Sequence, residues 1–480
     1  MRKETKLLKK SMSIVIAFMI AFSSICVLSA TTAFAAENDS YITYDKDLYD
    51  ENKAVCDRIA EGINNLEEEI YIGDAGITNW DLQYIIKTVI RMHPEFFYLD
   101  SRYMYTTDGT YTIDVCPVYL FDEQTINQKR ELFDTEVQKY VSKVDESMSD
   151  FKKAVIIHDE LALKCSYFTD SGMNYATAYE AIVNKKANCQ GYSEAYSYLL
   201  SLVGVKSELV ESTAMNHAWN KVCIDGEYYH VDLTWDDPVP NKDGHVDHTY
   251  FLLSDEAISS GSDHYGFDSS FKSESTKYDN YKYRYVDTKF CYVGDDCYFI
   301  DNTASSQYEK CLLNYDYTTD TVEVVKRFDY RWSAGGSSYW VGGFMSLDEY
   351  DGILYYNTPD SVYTYNTENG EISEFSQDIT FSKDCYGLVI VDEKVYAVLS
   401  DNPNVVGTLQ YVGDCIKANN ILLGDLNGDG VVNVSDATYI QKYCANRVTL
   451  TDVQLNAADF DQNGVVNVLD ATGIQRSIAR

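Results

Sequence analysis

The chain has 480 residues, 45% of them hydrophobic, enough apolar material for several packed cores, which excludes a disordered protein. Its formal net charge of −36, from 39 Lys and Arg against 75 Asp and Glu, argues against nucleic acid and anionic membrane as partners, since both would repel it. Residues 1–35 read as a cleavable secretory leader: Lys3, Lys6, Lys9 and Lys10 precede an apolar run, and Ala33-Phe34-Ala35 is a small-x-small site before Ala36. No later stretch is long and apolar enough to span a bilayer, so no membrane partner is expected after cleavage. Of the 12 cysteines, Cys26 leaves with the leader, and an odd remainder without a C-x-x-C pair fits neither a disulfide framework nor a zinc site. At least one thiol stays free, and Cys189 is the candidate.

Residues 36–150 carry apolar spacing of helical period at 53–69, 81–92 and 123–144, with a hairpin expected over 103–120 around Asp108-Gly109. This N-terminal extension is expected to pack on a core at 151–277, whose first helix, 151–163, follows Ser149 as N-cap.

The core's chemistry concentrates between Asn188 and Pro238. Cys189 stands just before a helical pattern of Tyr192, Ala195, Tyr196, Leu199 and Val203, where the positive end of a helix stabilises a thiolate. Two strands, 217–224 and 227–234, flank Asp225-Gly226, a two-residue hairpin signal. If 224 faces 227, then 219 faces 232, and alternation puts His217, Trp219 and Asp232 on one face. His217 then takes the proton of Cys189 while Asp232 orients the imidazole, the arrangement for thioester-forming nucleophilic catalysis. His230 falls on the same face and reads as structural support.

Beyond Pro238, 248–253 reads as a strand and 259–277, rich in Ser, Asp, Lys and Gly, as a linker or surface loop. From 278 to 418 the pattern is strand after strand. The stretches 297–300, 353–356 and 394–398 look equivalent, like propeller blades too few to close a ring, so an antiparallel β module is expected.

Residues 419–480 hold a duplication. Asp425, Asn427, Asp429, Val431, Asn433 and Asp436 recur 34 residues later as Asp459, Asp461, Asn463, Val465, Asn467 and Asp470. Oxygen donors at loop positions 1, 3, 5, 9 and 12, a glycine at 6 and a backbone carbonyl at 7 make a calcium site in each copy. Each loop runs into a short amphipathic helix.

Two resemblances follow. Cys189-Gln190-Gly191-Tyr192, His217-Ala218-Trp219-Asn220 and Tyr229-His230-Val231-Asp232-Leu233-Thr234-Trp235-Asp236-Asp237 resemble the transglutaminase-like (papain-like) superfamily, with His93-Pro94-Glu95-Phe96-Phe97 as a weaker upstream feature. The resemblance implies Cys189 as nucleophile, His217 as general base and acid and Asp232 as the orienting residue, with no cofactor in that domain. It leaves open a peptidase or amide hydrolase, a protein cross-linking transferase and a non-catalytic peptide- or carbohydrate-binding body.

The duplicated loops, with aspartate at position 12 and no long preceding helix, resemble the type I dockerin. That implies two bound calcium ions and docking to a cohesin domain of a cellulosomal scaffoldin through Val434, Ser435, Gln441 and Lys442 in one repeat and Val468, Leu469, Gln475 and Arg476 in the other. The expected whole is a secreted, multidomain α+β protein. It has a papain- or transglutaminase-like core of helix plus antiparallel sheet, a β-rich middle module and a small all-α dockerin. Its expected substrate is a protein or peptide, glycoproteins included, in the setting of plant cell-wall polysaccharide degradation.

Overall fold

The computed structural model describes residues 42–43, 46–168, 175–261, 263–267, 269, 271–302, 309–335, 337–416, 423–427, 431–445, 447–450 and 452–478. The leader expected at 1–35 and the calcium ligand expected at Asp429 lie outside the described residues. The chain divides into two compact units, one built from Met1–Phe290, Cys297–Ser346 and Asn402–Gly407, the other from Cys291–Asp296, Leu347–Asp401 and Thr408–Arg480.

In the first unit, the helices Lys46–Asn64, Leu82–Met92 and Glu123–Val141 accompany a three-stranded sheet of Ile70–Tyr71, Thr112–Tyr119 and Leu99–Thr107, in that order. The helix Asp150–Lys164 begins where Ser149 accepts a hydrogen bond from the Lys152 amide, as a serine N-cap does. It buries Phe151, Ala154, Val155, Ile157 and Leu161.

The centre of this unit is the helix Cys189–Leu202 against a five-stranded sheet. The sheet order is Ile42–Thr43, Ser207–Ser212, His217–Ile224, Glu227–Val231 and Phe251–Leu253, antiparallel except for the first pair. Asn188 caps the helix by accepting from the Gly191 amide at 3.2 Å, and Tyr192, Ala195, Tyr196, Leu199 and Leu200 are fully buried on its inner side. Gly191 is a close-approach position: a Cβ there would stand 2.7 Å from the Tyr175 carbonyl oxygen. Asn220, on the neighbouring strand, donates to the Ser193 carbonyl at 3.0 Å and the Ser197 hydroxyl at 2.8 Å. At about 1 kcal/mol each, such bonds matter less for stability than for fixing the helix against the strand that carries His217.

The hairpin has the register expected from Asp225-Gly226. Both turn residues have positive φ (54° and 87°), and Ile224 pairs with Glu227 and Asn220 with Val231. The second strand stops earlier than the apolar alternation suggests. It ends at Val231, because the Asp232 carboxylate accepts from the Thr234 and Trp235 amides and starts a one-turn helix, Leu233–Asp236.

The strands Asp296–Asp301, Lys310–Asp316 and Thr321–Phe328 form antiparallel ladders in the order of the chain. In the second unit, Leu347–Tyr350, Ile353–Asn357, Val362–Asn366 and Ile372–Glu374 make one meander, and Asp384–Val391, Lys394–Ser400 and Thr408–Asp414 another. Each of the three stretches that look equivalent in sequence therefore pairs with the strand that follows it. The two meanders of the second unit share a core that includes Ile353, Tyr355, Val362, Leu388, Val395 and Leu399.

At the C-terminus, Val434–Cys444 and Val468–Ile478 are helices of equal length set 34 residues apart, with Asp452–Ala458 between them. Leu426, Ala437, Ile440, Leu450, Ala458, Ala471 and Ile474 form their small core.

Candidate active site and calcium loops

Cys189 is half-buried at the first turn of its helix and forms no disulfide. His217 opens the adjacent strand, and its Nε2 lies 2.6 Å from Asp232 Oδ2. Its remaining nitrogen, Nδ1, is left for the thiol, and Cys189 interacts electrostatically with the imidazole. The three predicted residues thus come together although 43 positions separate the first from the last.

Burial alone would push the His217 pKa down. The Asp232 carboxylate and the Cys189 thiol outweigh it and raise the value to about 10, so the imidazolium is the form the site favours at neutral pH. Asp232 is fully buried, which disfavours its charge, yet its pKa is held below the ordinary value. The reason is the set of donors around it: His217 Nε2 and His264 Nε2 on Oδ2, the Thr234 and Trp235 amides on Oδ1. Hydrogen bonds to a charged group are worth about 1.5–3 kcal/mol each, and four of them match the several kcal/mol that burying a carboxylate costs.

His264 carries no sequence signal of its own. It sits in the stretch expected to be a linker or surface loop, yet it is fully buried, 2.7 Å from Asp232 Oδ2. The His217 ring lies between Trp219 and Trp235, at centroid distances of 5.6 and 5.8 Å, and Trp235 is 40% exposed at the mouth of the site. His230 holds the back wall. Its Nδ1 accepts from Trp219 Nε1 at 2.8 Å and its Nε2 faces Asp255, while burial, the leading cause, lowers its pKa to about 4 and keeps it neutral.

A second buried network grips the far end of the one-turn helix that Asp232 begins. His158 Nδ1 is 2.9 Å from Asp159 Oδ1, and its Nε2 is 3.3 Å from Asp236 Oδ2. His248 bridges Asp159 Oδ1 and the Val286 carbonyl, each at 3.0 Å. The Phe290 amide donates to Asp159 and the Tyr250 amide to Asp236. Burial opposes charge on both residues of the first pair, but the bonds win: His158 is raised to about 9 and Asp159 lowered to about 2.

The stabilisation from His158 is therefore complete below its ordinary value of 6.5 and lost as pH rises through about 9; that from Asp159 is complete above 3.8 and lost as pH falls through about 2. The difference in Tm between wild type and His158→Gln, followed by calorimetry, is expected to be constant from pH 4 to 6.5 and to shrink towards pH 9. A difference independent of pH would show that His158 carries no charge.

Among the described residues, three groups bring ligand-type atoms within 4.8 Å of one another: His158, Asp159 and His248; His217, Asp232 and His264; and Asp459, Asp461 and Asp470. In the first two, imidazole–carboxylate hydrogen bonds of 2.6–3.0 Å occupy the facing atoms. The third is carboxylate only, and hard oxygen donors that repel one another suit a calcium ion.

In that loop Asp459 and Asp461 both accept from the Asn463 amide, Asp459 also accepts from Gly464, and Asp470 accepts from the Asp461 and Asn467 amides. The first loop repeats the pattern where it is described: Asp436 accepts from Leu426, Asn427 and Asn433, and Asn433 Nδ2 donates to the Val431 carbonyl as Asn467 does to Val465. Asp425 is buried at the start of that loop. Val434, Ser435, Gln441, Lys442, Val468, Leu469, Gln475 and Arg476 are all exposed.

A family model described as the transglutaminase-like superfamily matches residues 138–233, and one described as the dockerin type I domain matches 423–479. No curated protein matches the chain. Two solved structures align with part of it. A crystal structure of a TGase shares 14% identity at a TM-score of 0.20, over 28% of this chain and 43% of its own. A proposed cysteine protease from Cytophaga hutchinsonii shares 17% identity at a TM-score of 0.19, over 27% and 54%. The chain thus spans about half the length of each. It carries a transglutaminase-like domain and a C-terminal type I dockerin on a mixed α and β architecture with a β-rich middle. Type I dockerins bind calcium, and a dockerin implies a cohesin partner and an extracellular, cellulosome-type setting. No helix among the described residues is long and apolar enough to cross a membrane.

Proposed function

We propose that this chain, with its transglutaminase-like domain and type I dockerin, is a secreted cellulosome component that cleaves or transfers amide groups of peptides or proteins through a thioester on Cys189. The observation that carries this reading is the 2.6 Å bond from His217 to a buried, ionised Asp232, with Cys189 acting electrostatically on the same imidazole. In the resting pair the second proton of the His217 imidazolium is the one given up by the Cys189 thiol, and Asp232 holds the ring in place. The thiolate attacks the amide carbonyl carbon, the C–N bond breaks, and the imidazolium protonates the departing amine or ammonia. The thioester is then resolved by water, which makes the site a hydrolase, or by a primary amine, which makes it a cross-linking transferase. The backbone N–H of Cys189, at the start of the helix, would donate to the developing oxyanion.

In the C-terminal module, two calcium ions would be held by Asp425, Asn427, Asp429, Val431, Asn433 and Asp436, and by Asp459, Asp461, Asn463, Val465, Asn467 and Asp470. The cohesin of a scaffoldin would contact the eight exposed residues at the helix starts and on the helices that follow. Such docking would bring the cysteine site to proteins or glycoproteins of the plant cell wall during polysaccharide degradation.

The test is site-resolved alkylation of the full chain with iodoacetamide, read by peptide mapping. Cys189 is expected to label faster than Cys223, another half-buried thiol, and to lose that advantage in His217→Ala. Equal labelling of Cys189 in both proteins would leave a scaffold-docked binding protein instead. Ammonia release with incorporation of a primary amine would identify the transferase.

A further inference from the structure

We infer that His264 is a positioning residue for this reaction: its Nε2–H bond to Asp232 Oδ2 fixes the carboxylate in the orientation that His217 requires. The inference rests on the reading of Cys189, His217 and Asp232 as a reactive site.

Two observations carry it beyond simple packing. His264 has no exposed surface and its ring is boxed by aromatic neighbours: Trp235 at 4.6 Å, Trp219 at 5.0 Å and Tyr250 at 5.2 Å between centroids. A phenylalanine would fill that box without a polar atom. Histidine instead leaves Nδ1 buried with no hydrogen-bond partner, which costs about 1–3 kcal/mol. The compensation visible in the structure is the bond from the other nitrogen to Asp232.

The second observation is what that bond does. The Thr234 and Trp235 amides tie Oδ1 to the start of the one-turn helix, while Oδ2 is approached by two imidazoles. The amides come from the aspartate's own turn. His264 comes from a separate segment, 32 residues on, and so references the carboxylate plane to a different part of the unit. That segment is itself fastened beside the strand before His217. Ser212 Oγ donates to the Tyr265 carbonyl at 2.6 Å, the Tyr265 amide meets Met215 Sδ at 3.2 Å, and Gly266 adopts a positive φ of 64° where a Cβ would stand 2.9 Å from Ala214 Cβ. The stretch that looks like a loop in sequence thus supplies the fourth side chain of the site.

Two substitutions separate the hydrogen bond from the packing. His264→Phe keeps the ring among Trp219, Trp235 and Tyr250 and removes the donor; His264→Gln keeps an amide donor for Asp232 and loses the ring. Measured on the full chain with calcium present, iodoacetamide labelling of Cys189 is expected to fall about tenfold in His264→Phe and to stay within about twofold of wild type in His264→Gln. The reverse ranking would mean that His264 only fills space, and overturns the inference.

A double-mutant cycle gives an independent check that does not depend on comparing stabilities. If His264 acts through Asp232, His264→Phe lowers the labelling rate no further in an Asp232→Asn background, whereas additive losses overturn the inference. The wild-type rate separates failure of the reaction from failure of the His264 role. Wild-type Cys189 no faster than Cys223 defeats the proposed reaction and this inference with it; a fast wild type with an equally fast His264→Phe defeats only the role of His264.

Discussion

Asp232→Asn is expected to reduce amide turnover by about 10⁴-fold while leaving the fold intact, the size of loss seen when a catalytic aspartate is replaced by its isosteric amide. The number of acceptor oxygens decides the effect. Asp232 accepts from His217 Nε2, His264 Nε2 and the Thr234 and Trp235 amides. An asparagine has one acceptor oxygen. If it serves the two backbone amides, which fix the start of the one-turn helix, the NH₂ group faces both imidazoles and can satisfy them only as acceptors. His217 must then carry its single proton on Nδ1, the nitrogen not bonded to residue 232, and can no longer take the thiol proton there. Removal of the carboxylate also removes the leading cause that raises the His217 pKa to about 10, so burial pushes the imidazole back towards its neutral form. Single-turnover assays on a glutamine-containing peptide, with Cys189 labelling as a substrate-independent readout, give the rate. Near-ultraviolet circular dichroism shows whether the core has held. A variant that folds and keeps wild-type labelling would remove Asp232 from the chemistry.

The atoms around Asp232 only partly show in the sequence. The relation of His217 to Asp232 was legible because one local feature, the Asp225-Gly226 turn, fixes the hairpin register, and a period-2 pattern then assigns faces several residues away. The early end of the strand was not, because an aspartate that alternates correctly and an aspartate that caps a helix look alike until the amides of Thr234 and Trp235 are in place. His264 was hidden for a different reason. A buried histidine in a polar, glycine-containing stretch has no periodic partner, and only tertiary contact with Asp232 defines it.

The network of His158, Asp159, His248 and Asp236 is the same case on a larger scale. Hydrophobic periodicity reads the helix Asp150–Lys164 from its apolar residues and passes over His158, Asp159 and Glu160, all of which are buried in it. In contrast, the C-terminal duplication was readable almost residue by residue. Coordination chemistry constrains residue type at fixed spacing, and the helices Val434–Cys444 and Val468–Ile478 repeat with the 34-residue offset of the loops before them.

Removal of calcium is expected to unfold residues 423–478 while leaving the cysteine-bearing unit folded. The core of this module, Leu426, Ala437, Ile440, Leu450, Ala458, Ala471 and Ile474, includes three alanines and is too small to hold some 57 matched residues by apolar burial alone. Without a cation, Asp459, Asp461 and Asp470 also converge within 4.8 Å and repel one another. Ions that bind only the folded module reverse both effects, by about 4 kcal/mol per site at a calcium concentration a thousand times the dissociation constant. That is enough to move a module of this size from mostly unfolded to mostly folded. Hydrogen exchange on the full chain is the measurement: peptides over Val434–Cys444 and Val468–Ile478 are expected to lose protection in EGTA, while those over Cys189–Leu202 keep theirs. Asp470→Ala removes position 12 of one loop. It is expected to reduce the bound calcium from two ions to one and to abolish protection of Val468–Ile478 first, since the Asp470 carboxylate also holds the Asp461 and Asn467 amides. Equal protection with and without calcium would mean that the helices stand on their own packing, and the exposed residues expected to meet a cohesin would then be presented whether or not the metal is bound.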